Sequence, residues 1–230
     1  MRQVVRYLNF YPLLTALLLC SAGAANSAEL EVRCGVEALN VWDDAGSGSR
    51  HHVTFYYASA QDDYYPVGVT ADNQQSGKHF KLCLVRDISP KGNALKPPVD
   101  YVRIWWDRAS GARRDGAIWR PKCPQNYEGI GFMVQANYRK PALDAIRCVH
   151  IDLLVSGTAL KVEGKAQLVG AVYADFGTLA IEDLSIWRVE AKNGLDVRAV
   201  FAWATRDIPK EKDEVFLLDE NKVKREGSGL

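Results

Sequence analysis

No stretch of this chain carries the ~18 consecutive apolar residues that a helix needs to cross a bilayer. Neither sign of charge is in excess: 29 lysines and arginines stand against 28 aspartates and glutamates. Such a balance gives little bulk attraction for nucleic acid or an anionic membrane, so electrostatic binding has to come from a local patch. Cysteine is scarce, and no two cysteines fall within the short spacing that a zinc site requires. Long amphipathic helical periods are missing outside the first residues. With 47% hydrophobic and 25% charged residues, the composition is not that of a disordered tail, a collagen or a coiled coil. What remains is a chain of 230 residues, long enough for one large domain or two small ones, with room for a proper core.

Met1 to Ala28 has the form of a secretory signal. Arg2 and Arg6 make a basic start, Leu13 to Cys20 an apolar centre, and Ala22-Gly23-Ala24 a small-residue cleavage site. Residues 1–25 are expected to be removed, and the protein to be secreted or periplasmic. Leu19 before Cys20 argues against a lipidated cysteine. Without Arg2 and Arg6 the cations fall to 27 against 28 anions. Four cysteines then remain, and an even count in an exported chain favours two disulfides. Four cysteines allow three pairings. Pairing within neighbouring segments suggests Cys34–Cys83 and Cys123–Cys148. Cys148-Val149-His150 has no partner pair to make a metal site, and no metal or other cofactor is expected.

Self-comparison is the most informative step. Shifted back 63 positions, Trp105–Arg120 meets Trp42–Tyr57. Asp107 then falls on Asp44, Ser110 on Ser47, Gly111 on Gly48 and Arg113 on Arg50. Further on, Tyr127 falls on Tyr64 and Gly131 on Gly68. Shifted forward 68 positions, the same stretch meets Tyr173–Arg188: Asp107 falls on Asp175, Asp115 on Asp183, and Ile118-Trp119-Arg120 on Ile186-Trp187-Arg188. The third copy has Leu179 where the others have glycine, and no cysteine. The chain therefore reads as three units, about 29–90, 91–158 and 159–220, within one β domain over 29–220. Residues 221–230 are expected to form a flexible tail.

Within a unit the pattern is that of strands. Val102-Arg103-Ile104-Trp105 and Ala117-Ile118-Trp119 are β-branched and aromatic, and the polar, glycine-bearing stretch Asp107–Gly116 between them reads as a hairpin turn. Pro121, Pro124 and Pro141 punctuate the connections. About four short antiparallel strands per unit predict an all-β, β-prism-like fold of three pseudo-symmetric units, with a β-sandwich as the alternative. Phe55/Tyr56, Ile118/Trp119 and Ile186/Trp187 should occupy equivalent places, one of each pair facing the core.

The string Asp107 to Phe132, followed by Lys140 to Leu154, resembles the signature of the vacuolar protein sorting-associated protein 62 family. Matching residues are Asp107, Ser110, Gly111, Ala112, Asp115, Ile118, Trp119, Arg120, Pro121, Pro124, Tyr127 and Gly131. The sequence departs from the pattern at Asn126, where the family has glycine, and at Phe132, where it has aspartate. Trp42–Gly68 matches more loosely and Tyr173–Arg188 more loosely still. The resemblance implies repeats similar to β-prism modules that bind membranes in endosomal sorting proteins, and it implies no particular chemistry.

The turns opening at Asp44 and Asp107 are the leading site candidates, with Ser47, Gly48, Ser110, Gly111 and Arg113. An aspartate beside exposed backbone N–H groups suits sugar hydroxyls, or a calcium ion. The same pattern suits an aspartate that caps its own turn while glycine supplies a positive φ. Asp175 is the natural comparison, since its turn lacks the glycine. Asp107 and Asp115, expected at the two ends of one solvated turn, make a poor acid–base pair. His51-His52 should point to opposite faces of a strand. Tyr56-Tyr57, Tyr64-Tyr65 and Trp105-Trp106 should each put one ring inward, leaving the second for packing, a sugar face or a membrane interface. Arg103, Arg108, Arg113 and Arg114 form a local basic cluster that could meet a phosphate headgroup. The expected function is that of an exported, non-enzymatic binding module for glycans or lipid headgroups through loops at one end. Alternatives are a structural or accessory domain of an envelope or toxin assembly, contacting protein partners, and an exported hydrolase. Nucleic-acid binding and a transmembrane span are not expected.

Overall fold

The computed structural model describes residues 29–73, 80–158, 171–174, 179–188, 194–195, 197, 200–203 and 214–227. The leader and Asp175 lie outside the described residues. Apart from two short 3-10 turns, the regular structure among the described residues is all strand. In order these are β1 (Leu30–Asp43), β2 (Thr54–Tyr57), β3 (Thr70–Asp72), β4 (Phe80–Asp87), β5 (Leu95–Lys96), β6 (Asp100–Trp106), β7 (Ala117–Lys122), β8 (Tyr127–Glu128) and β9 (Met133–Gln135). There follow β10 (Cys148–His150), β11 (Leu154–Thr158), β12 (Ala171–Ala174), β13 (Ser185–Arg188), β14 (Gly194–Leu195), β15 (Val200–Trp203), β16 (Glu214–Asp219) and β17 (Val223–Arg225). No α-helix occurs among the described residues, and none there is long and apolar enough to cross a membrane.

Three antiparallel ladders share one register. Phe55 pairs with Trp42 and Ala71, Ile118 with Trp105 and Val134, and Ile186 with Tyr173 and Ala202. Each ladder has its register shift at the same place, at Asn40/Trp42, Arg103/Trp105 and Ala171/Tyr173. These are the 63- and 68-residue offsets of the sequence. The shift lets the polar strand start and the aromatic strand end both meet a neighbour, and the extra residue bends the strand. Phe55, Ile118 and Ile186 are fully buried in one core with Trp42, Trp105, Phe132 and Leu184. Alternation puts Tyr56, Trp119 and Trp187 on the other face, and they too are buried, Tyr56 by a stacked Phe80 ring at 4.5 Å.

A second core gathers Val67, Ile130 and Val197, with Val85, Val149 and Leu218 from the ladders β1–β4, β5–β10–β8 and β11–β16–β14. In the first unit β1 is long enough to carry both, pairing with β2 along one stretch and with β4 and β17 along the other, so its strands form one connected sheet, whereas the second unit divides its strands between β6–β7–β9 and β5–β10–β8. Gly68 and Gly131 touch, and a Cβ on Gly68 would lie 2.9 Å from the Gly131 Cα.

Two disulfides are present, Cys34–Cys83 and Cys123–Cys148, as segment-wise pairing predicts. The expected flexible tail needs correcting over Val223–Arg225. That segment pairs in parallel with Leu30–Val32 as β17, Lys224 approaches Glu31 at 3.7 Å, and Glu226 accepts from Arg33 Nε and Nη2, each at 2.8 Å. Its mixed charges, which in isolation suggest fraying, find partners on β1.

Candidate functional site

The two glycine-bearing turns are built alike. Asp44 N donates to Val53 O at 3.2 Å and Asp107 N to Gly116 O at 2.9 Å. Ser47 N donates to Asp44 O at 3.0 Å, and Ser110 N to Asp107 O at 2.8 Å. The serine hydroxyls then accept from Ser49 N and Ala112 N, each at 3.1 Å. The carboxylates reach across their loops: Asp44 Oδ1 accepts from Val53 N at 3.2 Å, and Asp107 Oδ1 from Gly116 N at 2.9 Å. Gly48 and Gly111 have φ of 73° and 83°, a region a side chain disfavours.

The turns also interlock. Arg113 N donates to Ala45 O at 2.8 Å, and the equivalent Ile181 N to Arg108 O at 3.3 Å. Trp42 Nε1 donates to Arg114 O at 2.8 Å, and the equivalent Trp105 Nε1 to Glu182 O at 2.9 Å. In the first two units the tryptophan thus holds the loop of the next. The candidates Asp44, Ser47, Gly48, Asp107, Ser110, Gly111 and Arg113 are therefore brought together at one end.

Packing of loop on loop changes what the aspartates can do. Asp44 is 1% and Asp107 4% exposed, with Ser47 and Ser110 buried beside them. The expected solvation of Asp107 is corrected here: only Asp115 is exposed. Burial raises both the Asp44 and the Asp107 carboxyl above the ordinary carboxylate range. Asp107 and Asp115 are joined through Tyr138, whose hydroxyl donates to Asp107 Oδ1 at 2.9 Å and lies 3.2 Å from Asp115 Oδ1. Burial and the Asp107 bond push the Tyr138 hydroxyl well up. Tyr138 escapes self-comparison because the residue 63 positions earlier is Gln75.

The outer surface of this end has the opposite character. Arg50, Arg108 and Arg113 are exposed and have no carboxylate partner among the described residues, while Arg114 pairs with Asp43 at 2.7 Å. Arg103 and Arg108 flank the Trp106 ring at 3.7 Å and 5.3 Å. Two aliphatic side chains of the third loop stand out, Leu179 at 83% and Ile181 at 68% exposure. On the first loop His51 and His52 are exposed, His52 Nδ1 lying 3.7 Å from Asp44 Oδ2. The doublets divide as expected, with Tyr56, Tyr64 and Trp105 buried and Tyr57, Tyr65 and Trp106 half-buried.

A family model described as vacuolar protein sorting-associated protein 62 matches residues 19–202. The chain belongs to the Vps62 family. Among solved structures, this Vps62-family chain resembles GNIP1Aa from Chromobacterium piscinae with a TM-score of 0.73 and 22% identity, over 86% of its length and 38% of the other chain. That likeness is one of fold, and the chain spans well under half of the longer protein. No curated protein matches the sequence.

Proposed function

We propose that this Vps62-family chain is an exported, non-enzymatic binding module with a prism-like arrangement of its ladders, docking on anionic lipid headgroups through the end where the turns meet. The supporting observation is the sorting of charge there. The aspartates are buried, each with one oxygen held by its own loop, while Arg50, Arg108 and Arg113 are exposed, and Arg108 bonds through its carbonyl to the third loop that exposes Leu179 and Ile181. Neutral sugars need acceptors they can reach, and Asp44 and Asp107 are too deeply buried to offer them. An anionic surface needs cations backed by a little apolar area, which this end does offer.

Sedimentation with vesicles tests the reading. Phosphatidylserine vesicles should carry the protein down and phosphatidylcholine vesicles should not, with binding weakening as salt rises. Replacing Arg108 and Arg113 by glutamine removes about 1 kcal/mol each, so partitioning should fall roughly 30-fold. Equal binding to both vesicles, an unaffected double variant, or a glycan bound through Asp107 would overturn it. The second reading, an accessory domain within a larger assembly, is favoured by one observation: the similar fold in GNIP1Aa forms part of a longer chain.

A further inference from the structure

At the far end of β1 from these turns, a cleft of about 370 Å³ opens between the first and second units. Arg147 stands on one wall. Its guanidinium carbon lies over the Tyr65 ring, 3.7 Å from the ring centre, and its Nη1 donates to the carbonyls of Asp144 at 3.0 Å and Ile146 at 3.1 Å. The group is thus fixed in place by a ring and two carbonyls, and it has no carboxylate partner among the described residues. Arg86, on the other wall, is engaged by the buried Glu31 and lies 4.6 Å from the Tyr64 ring. Its Nε is buried without an acceptor.

Two acids border the same space, and neither pairs with Arg147. Asp87 is consumed by its own loop, Oδ1 accepting from Ser89 N and Oγ and Oδ2 from Ala94 N at 2.7 Å. Asp63 is exposed at the rim, with φ of 63°.

Internal comparison separates frame from function here. The bridge Tyr65–Val85 corresponds to the pair Glu128–Val149 in the next unit. Glu128 and His150 therefore occupy the places of Tyr65 and Arg86, and Asn126 that of Asp63. The fold builds this seam without an arginine–tyrosine stack. The stack is a local addition, and an immobilised guanidinium with free donors is what planar recognition of an oxyanion requires.

We propose that the Tyr65–Arg147 cleft is a binding site for an oxyanion, a phosphate ester or carboxylate, independent of the end where the turns meet. The test is titration with sodium phosphate at constant ionic strength, followed by amide chemical shifts around Tyr65 and Ile146 and by the melting midpoint. The native chain should show a saturable change. Arg147→Gln should weaken it at least about tenfold, the loss of a charged hydrogen bond. Asp63→Asn, which removes the rim acid, should tighten it. Arg113→Gln should leave it unchanged, which separates this site from the docking end. Should Arg147→Gln melt early for want of its carbonyl bonds, Tyr65→Leu keeps those bonds, loses only the stack, and should still weaken phosphate. Glycerol phosphate in solution and phosphatidic-acid vesicles separate a free ester from a lipid headgroup. Binding in either arm that depends on Arg147 supports the site. No saturable change with phosphate or acetate, or an Arg147→Gln chain that titrates like the native one, overturns it.

Discussion

Replacing Asp107 distinguishes a turn that holds itself together from one that holds a ligand. Asp107 Oδ1 accepts from the buried Gly116 N and from the Tyr138 hydroxyl, both at 2.9 Å. Asp107→Ala strands the Gly116 N–H away from water, at a cost of about 1–3 kcal/mol. Tyr138 is partly exposed and can turn to solvent, so it adds little. The expected loss is about 2 kcal/mol, or a melting midpoint lower by roughly 4–8 °C for a domain of this size. Asp115→Ala, with one 3.2 Å contact on an exposed side chain, should cost less than about 0.5 kcal/mol. Asp107→Asn keeps an acceptor oxygen and removes the charge, which isolates the effect of burial. Because burial raises the Asp107 carboxyl above its ordinary 3.8, the folded chain binds more protons there than the unfolded chain. Its contribution to stability is then complete below that ordinary value and declines as pH rises through the raised one. The native protein should therefore lose ground to Asp107→Asn as pH climbs from about 4 toward neutrality. Urea melts of the three variants across pH, with the disulfides intact, measure this. Equal midpoints for Asp107→Ala and Asp115→Ala, or a native protein that gains on Asp107→Asn with rising pH, would refute the reasoning.

Gly116→Ala places a Cβ 2.3 Å from Trp42 Nε1, so the fully buried indole must move and surrender its bond to Arg114 O. Overpacking and the lost bond together predict about 3 kcal/mol, read from a denaturant midpoint, and an unchanged midpoint would contradict the packing. Replacing Cys34 and Cys83 by alanine opens a link across 49 residues, and replacing Cys123 and Cys148 one across 25. The chain-entropy view expects losses of about 4 and about 3.5 kcal/mol, and a peptide map that joins Cys83 to Cys148 would contradict both assignments.

Register was legible in the sequence because it is carried by large buried apolar side chains. Phe55, Ile118 and Ile186 recur at fixed offsets, and the ladders pair at those offsets. The disulfides followed from the same units. What could not be read was the environment of the aspartates. Asp107 to Gly116 has the composition of a solvated turn, and each turn taken alone would be one. Asp107, Ser110 and Gly116 are nevertheless buried, and the loop of another unit packs against this one, Gly46 meeting the Gly111 carbonyl and Arg113 bonding to Ala45. Such contacts join residues more than sixty apart and leave no local period. Arg147 and Tyr138 were missed for a related reason. They depart from the repeat, and a search for recurrence passes over whatever occurs once.

The joints between units show how a repeated backbone can still distinguish its neighbours. At the first joint Arg114, on the second unit's loop, donates to Asp43 Oδ2 at 2.7 Å and Asn40 Oδ1 at 3.0 Å. At the second joint Glu182 occupies the place of Arg114, and it accepts from Trp106 N at 3.2 Å and Arg103 Nη2 at 3.4 Å. Arg103 stands where Asn40 does and Trp106 where Asp43 does, so donor and acceptor have changed sides. Exposed pairs of this kind add little to stability, about 0–1 kcal/mol each. Their effect lies in the alternatives they oppose. Loops exchanged between joints would set Arg114 against Arg103 and Glu182 against Asp43, like charge against like, while every backbone bond and tryptophan clip stayed possible. The frame, being the same at both joints, cannot choose between these orders, and the charges can.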